Sequence, residues 1–134
     1  MVEASERHRL NRLSYTIIGA GLRVHTEIGP GMKESSYEEC LVIELTHLGL
    51  DVEQQKVLPV IYRGHRVNRA YRPDIIVEGS VALEVKAVGA LAPIHDAQLR
   101  SYPKQSKLKL GLLFNFNVKH LRDGIRRIVN GFPD

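Results

Sequence analysis

The stretch RPDIIVEGSVALEVK, residues 72–86, constrains the fold more than any other part of the chain. Two short β-branched runs separated by EGS read as an antiparallel hairpin. With the turn centred on Gly79, residues whose numbers sum to 158 face one another, so Ile75 lies opposite Leu83, Val77 opposite Val81 and Asp74 opposite Glu84. Side chains alternate along a strand, which leaves one face aliphatic and gathers Asp74, Glu84 and Lys86, with Ile76 and Ala82, on the other. A slip of one residue in the turn would part Asp74 from Glu84, so their convergence depends on this register.

Two carboxylates at a cross-strand distance of about 5 Å repel by about 1 kcal/mol in water and several times that in a partly buried site. A divalent cation would reverse the sign. Mg²⁺ favours one or two carboxylates, with waters and a substrate phosphate completing its octahedron. Lys86 would then stand beside the metal, placed to orient a water or to stabilise charge on phosphorus. The alternative is a solvated sheet edge on which Lys86 neutralises one of the carboxylates, and an Asp, a spacer and Glu-x-Lys do not by themselves separate the two.

Around this hairpin the periodicities give an order of elements. From about Ser5 to Glu27, the residues Leu10, Leu13, Ile17, Ala20, Gly21 and Val24 recur at helical spacing. The helix stops at IGPGMKE, and Ser35 or Ser36 with Glu38 or Glu39 offers a capping box for a second helix from about Ser36 to Leu48, closed by Gly49. VEQQKVLPVIYRGHRV adds strands with a turn at RGH, so three or four antiparallel strands are expected before Lys86. Pro93 suits the first position of a short helix ending near Pro103. LKLGLLFNF reads as a buried strand, and VKHLRDGIRRIVNG as a closing helix with Val118, Leu121, Ile125 and Ile128 on one side. Arg122, Arg126 and Arg127 would form a basic strip on that helix, either a solvated face or a phosphate contact.

At 134 residues one compact domain spanning 1–134 is expected, and 43% hydrophobic with 25% charged residues is ordinary for a globular protein. A net charge of +4 permits a polyanionic partner without demanding one. The lone Cys40, within an apolar run, excludes an intramolecular disulfide or a zinc cluster and reads as a small core residue. No apolar run approaches the roughly 20 residues that span a bilayer, and the charged N-terminus is unlike a secretory signal, so no membrane partner and a cytoplasmic location are expected.

Three further segments carry a family resemblance. GMKESSY sets Gly31, Glu34 and Tyr37 at Gly-x-x-Glu-x-x-Tyr spacing, IHDAQLRSY sets Gln98 and Tyr102 at Gln-x-x-x-Tyr, and GLLFNFNV follows. In this order, from about Ile17 to Val129, the chain resembles the GxxExxY family, a branch of the PD-(D/E)XK nuclease superfamily. The resemblance implies an α/β (α+β), restriction-endonuclease-like mixed sheet of four to five strands flanked by helices. It matches Asp74 to the acidic residue of the hairpin's first strand and Glu84 and Lys86 to the Glu-x-Lys. It matches Glu34, with Glu38 one turn later as a substitute, to an acidic helix residue that completes the metal shell. Gln98 and Tyr102 match a substrate-placing element, and their spacing of four sets amide and phenol on one helix face. Each has an ordinary structural alternative, Tyr102 as a half-core residue and Glu34 as a carboxylate favoured by the helix dipole. Pro103, directly after Tyr102, departs from a continuing helix. His25 and His95 also resemble family positions, His95 as a substrate contact beside Gln98, although a lone helix histidine is more often a hydrogen-bonded structural residue.

The leading expectation is therefore a Mg²⁺- or Mn²⁺-dependent nuclease, acting on DNA ahead of RNA. Asp74, Glu84 and Glu34 would hold metal, Lys86 would complete the catalytic set, and Gln98, Tyr102 and His95 would bind substrate. The rival is a non-catalytic module that keeps the fold and binds nucleic acid or protein, with salt sensitivity but no metal dependence. A homodimer is compatible with either.

Overall fold

Leu10, Leu13, Ile17, Ala20 and Val24 are all buried along one side of helix α1 (Val2–Ile28), as their spacing requires. The protein, described by a computed structural model, is defined over residues 2–102, 106–129 and 131–133, without the side chains of residues 2–4, 69 and 70. After α1 come α2 (Glu34–His47), β1 (Val52–Gln54), β2 (Leu58–Tyr62), β3 (His65–Tyr71), β4 (Ile75–Val77) and β5 (Val81–Lys86). Then follow α3 (Pro93–Arg100), β6 (Leu110–Asn115), a 3-10 turn (Leu121–Gly124) and β7 (Ile125–Val129).

Five strands form a mixed sheet in the order β1-β4-β5-β6-β7, and β2 and β3 pair separately as a two-stranded ribbon. β5 and β6 are parallel, and the other neighbours are antiparallel. A parallel pair needs a crossover, which here carries α3. The hairpin register is the expected one, with Ile75 opposite Leu83, Ile76 opposite Ala82 and Val77 opposite Val81. Glu78 and Gly79 both take positive φ, 53° and 62°, as the favoured tight hairpin turns demand.

The aliphatic hairpin face, Ile75, Val77, Val81 and Leu83, joins Leu110, Leu112 and Phe114 in the main core beneath α1 and α2. On the opposite face Ile76, Ala82, Leu113 and Ile128 pack against Leu99 and Tyr102 at α3. β6 is buried through all its residues, as a central strand covered on both faces should be. α3 can approach β6 only because position 111 lacks a side chain: a Cβ on Gly111 would stand 2.8 Å from Leu99 Cγ. Cys40 is half-buried against the main core. Among the described residues no helix is long and apolar enough to cross a membrane.

The structure corrects three expectations. The capping box of α2 does not form: the helix begins at Glu34, with Lys33 as an N-cap that makes no side-chain bond. The Tyr37 hydroxyl organises this end instead, donating to the Gly29 carbonyl and accepting from the Met32 amide at 3.0 Å. Five strands rather than three or four precede α3, because the chain leaves the main sheet for the β2–β3 ribbon and then returns.

The expected closing helix is a 3-10 turn followed by an edge strand. Val118, Leu121, Ile125 and Ile128 fit a helical period, but β6 offers an unpaired edge, and IRRIV pairs with it antiparallel. The supposed basic strip is thereby dispersed. Arg122 sits on the 3-10 turn. Arg126 pairs with Asp96 at 2.9 Å on the α3 side, while Arg127 reaches Asn11 and Ser14 of α1 on the other. Pro103, where α3 was expected to kink or end, lies outside the described residues; α3 itself ends at Arg100.

Candidate active site

Asp74 immediately precedes β4, and Glu84 and Lys86 lie near the end of β5, on its half-exposed face. The hairpin register carries Asp74 to Glu84, and the Glu84 carboxyl shares a hydrogen bond with Asp74. Burial, then this bond and the Asp74 charge, push the Glu84 carboxyl up to about 9; Lys86 pulls the other way, and Glu38 adds to the rise. Without a cation, the pair holds a proton in place of one.

Asp74 is fixed from two sides. Its Oδ2 accepts the Val85 amide at 2.8 Å, and its Oδ1 accepts the Gln55 side-chain amide at 3.2 Å. Gln55 also donates to Glu38 Oε2 at 3.1 Å, so one amide links the two carboxylates. Gln54 donates to the same Glu38 oxygen at 3.0 Å. Of the two α2 glutamates, it is therefore Glu38 that lies beside the Asp74–Glu84 pair. Glu34 is exposed, and its carboxylate accepts the Ala87 amide at 3.1 Å, just past Lys86. Among the described residues no three His, Cys, Asp or Glu side chains gather closely enough to hold a metal by themselves.

Glu84 opens into a cleft of about 260 Å³, lined also by Tyr71, Arg72, Pro73, Gln98 and Ser101. Gln98 is exposed on α3 and stands on this rim. Tyr102 is 6% exposed, its ring edge-on to Tyr71 at 6.2 Å, and it belongs to the core behind the cleft. Tyr71 in turn donates its hydroxyl to the Leu99 carbonyl, and burial raises its proton affinity. His95 Nδ1 accepts the Ala92 amide at 3.0 Å, capping α3. His25 Nε2 donates to the Val118 carbonyl at 2.8 Å, a structural bond far from the pair in sequence. The rim thus has Gln98 in common with the expected substrate set, while His95 and Tyr102 make contacts elsewhere.

Three contributors were not visible in the sequence. Gln55, just past the end of β1 at φ 54°, joins Glu38 to Asp74, and its only local signal in the sequence is the polar pair Gln54–Gln55. Arg72 lines the cleft at the first position of the hairpin stretch. Asn115, 2% exposed, accepts the Val88 amide and donates to the Val88 carbonyl, both at 3.0 Å. It stands opposite Lys86 in the parallel register, so it anchors the chain as it leaves the lysine strand.

The donor chemistry fits a hard divalent cation: two carboxyls in contact, partly buried, one of which, Glu84, lines a cleft with room for water and phosphate. Comparison with known proteins gives one positive result, a match of residues 11–128 to the family model of the PD-(D/E)XK nuclease superfamily. No curated protein and no solved structure matches. The matched span takes in most of α1, all of α2, the hairpin with its two carboxylates and lysine, and the parallel strand beside it, and on this footing the chain belongs to the PD-(D/E)XK nuclease superfamily.

Proposed function

We propose that the protein is a divalent-cation-dependent nuclease of the GxxExxY branch, hydrolysing phosphodiester bonds of DNA at the Asp74–Glu84 cleft. The observation that carries this reading is the contact of the Asp74 and Glu84 carboxyls, with Glu84 lining the cleft and Lys86 on the same strand face. Asp74 and Glu84 would hold the cation, which supplies Lewis-acid charge to the phosphate and makes a nearby water easier to deprotonate.

The remaining work falls to the chain's own groups. The Val85 amide and Gln55 fix the Asp74 carboxylate, and Glu38 acts through Gln55 as a positioning residue. Lys86 offers an ammonium to the charge that builds on the phosphate oxygens. Gln98, on the cleft rim, can donate its amide to a phosphate or accept from a base. The Gly-x-x-Glu-x-x-Tyr spacing has a physical sense in this reading. Gly31 takes φ 102°, Glu34 grips the Ala87 amide, and Tyr37 ties down the intervening turn while stacking on Phe116 at 4.5 Å. The motif thus braces the start of α2 against the end of the lysine strand.

The test is cleavage of labelled single- and double-stranded DNA and RNA with Mg²⁺, Mn²⁺ or EDTA, comparing wild type with Glu84→Gln and Lys86→Ala. Cation-dependent cutting of DNA that both variants lose is the expected result. No cutting, with equal nucleic-acid binding by all three proteins, would leave a binding module that has kept the nuclease fold.

A further inference from the structure

Between Glu53 and Asp74 the chain carries Lys56, Arg63, Arg66, Arg69 and Arg72 and no carboxylate. These cations exceed the net charge of +4 of the whole molecule. The segment is the β2–β3 ribbon with its flanks, and the ribbon pairs only with itself, outside the five-stranded sheet. Its base is anchored in the core by Tyr71 and Leu58, but its distal half buries little and its like charges repel, so that half is a poor contributor to folding.

The ribbon's geometry presents Arg63 and Arg66 outward. Arg63 and Gly64 form its tip at φ 49° and 77°, the paired positive angles of a tight hairpin turn. Residues 61–68 are all exposed. Tyr62 faces His65 and Val60 faces Val67 on one side of the ribbon, while Ile61 faces Arg66 on the other. Arg66 bonds Asn68 at 3.1 Å, and among the described residues no ion pair holds Arg63, Arg66 or Arg72. The base of the ribbon runs directly into the site: Tyr71, Arg72 and Pro73 line the cleft of Glu84 and Gln98, and Asp74 follows.

We infer that the β2–β3 ribbon is a DNA-gripping arm that lies against duplex DNA, with Arg63 and Arg66 on its phosphates, and leads the backbone to the Glu84 cleft. This deepens the nuclease reading and rests on it for the role of the cleft. The major groove, about 12 Å wide, admits a two-stranded ribbon, and each arginine that neutralises a phosphate releases counterions. Tyr62 and Val67, 64% and 43% exposed, supply the apolar and aromatic surface that packs against sugars and thymine methyls. A second copy of the chain could use the same apolar side, but that contact would bring no counter-charge to Arg63, Arg66 and Arg72, whereas a polyanion satisfies them.

The experiment is fluorescence anisotropy of a labelled DNA duplex against the full-length protein in EDTA, over a series of salt concentrations. It compares wild type with the pair Arg63→Gln and Arg66→Gln and with the pair Arg63→Lys and Arg66→Lys. Thermal melting of each variant checks the fold. The glutamine pair should bind more weakly by about tenfold per arginine at 0.1 M salt, with the slope of log K against log salt shallower by about 2; the lysine pair should keep most of both. Wild-type affinity and slope in the glutamine pair would overturn the proposal, whether or not the protein cuts DNA. Loss of binding in the glutamine pair beside a wild type that never cuts would uphold the arm and refute the nuclease reading. A wild-type dimer in sedimentation that Val67→Asp dissociates, with DNA affinity unchanged in the glutamine pair, would overturn the arm in favour of a self-association surface.

Discussion

Replacing Glu84 by glutamine should make the cation-free protein more stable at neutral to alkaline pH, by an amount that grows with pH. In the folded protein the Glu84 carboxyl holds its proton up to about 9, against 4.5 for the free side chain. Below the unfolded value both states are protonated and the group has no effect on stability. As pH rises past it, the unfolded chain ionises while the folded one keeps its proton, so stability falls through the window up to the folded value. At about 1.4 kcal/mol per pH unit the full span is worth about 6 kcal/mol, which water entering the open cleft reduces to about 3 kcal/mol. Glutamine has no such titration, and its amide can donate to Asp74. Denaturant titrations of both proteins in EDTA should run parallel below about pH 3.5, where both states keep the proton, and diverge increasingly up to about pH 8, with the variant ahead. Mg²⁺ or Mn²⁺ at 100 times its Kd should restore about 2.7 kcal/mol to the wild type and little to the variant. Parallel pH profiles for the two proteins, or a wild type that is the more stable at about pH 8, would refute the carboxyl-pair argument.

Gly111→Ala should cost about 1–3 kcal/mol in a denaturant titration, because the new methyl meets Leu99 at 2.8 Å and α3 must shift from β6. Tyr37→Phe keeps the stack on Phe116 but removes two backbone partners of the Gly29–Met32 turn, and should cost about 1–3 kcal/mol by thermal or chemical unfolding. Gln55→Ala should leave folding within about 1 kcal/mol, since its side-chain bonds are exposed, yet weaken Mn²⁺ binding about tenfold in a titration followed by calorimetry, by releasing Asp74 from Glu38. Mn²⁺ affinity unchanged in that variant would remove Glu38 and Gln55 from the site.

The hairpin was legible from sequence because two local signals agree. The turn residues fix a centre at Gly79, and the aliphatic runs on either side choose the same register, since any slip would expose Ile75 and Leu83. β7 was not legible because its signal is ambiguous and the deciding fact is remote. Leu121, Ile125 and Ile128 satisfy a helical stripe, IRRIV is also a β-branched run that suits a strand, and the unpaired edge of β6 selects the strand. The same limit applies to the acidic partner on α2. Burial of Tyr37, Leu41 and Leu45 sets the face that α2 turns to the sheet, but Glu34 and Glu38 lie one turn apart on one face, so which of them meets Asp74 depends on how far along its axis α2 is placed against the sheet. Nothing within the α2 sequence encodes that placement.

What the local pattern also leaves out is how the charged face is held still, and this comes from the crossover. Because β5 and β6 run parallel, their ends meet on one edge of the sheet, with Lys86 opposite Asn115. Asn115 ties down Val88, Phe116 donates its amide to the Lys86 carbonyl at 2.9 Å, and Glu34 takes the Ala87 amide. The residues that follow Lys86 thus have backbone groups bound from α2, from β6 and from the loop beyond it, while Val85, just before, donates to Asp74. A strand end held in this way keeps Asp74, Glu84 and Lys86 in one geometry although the repulsion between the two carboxyls and the desolvation of Glu84 favour dispersal. That rigidity is useful to a site whose ligands must stand ready before cation and phosphate arrive, and it serves no evident need in a solvated sheet edge. Here lies the physical ground for preferring chemistry over decoration at Asp74, Glu84 and Lys86.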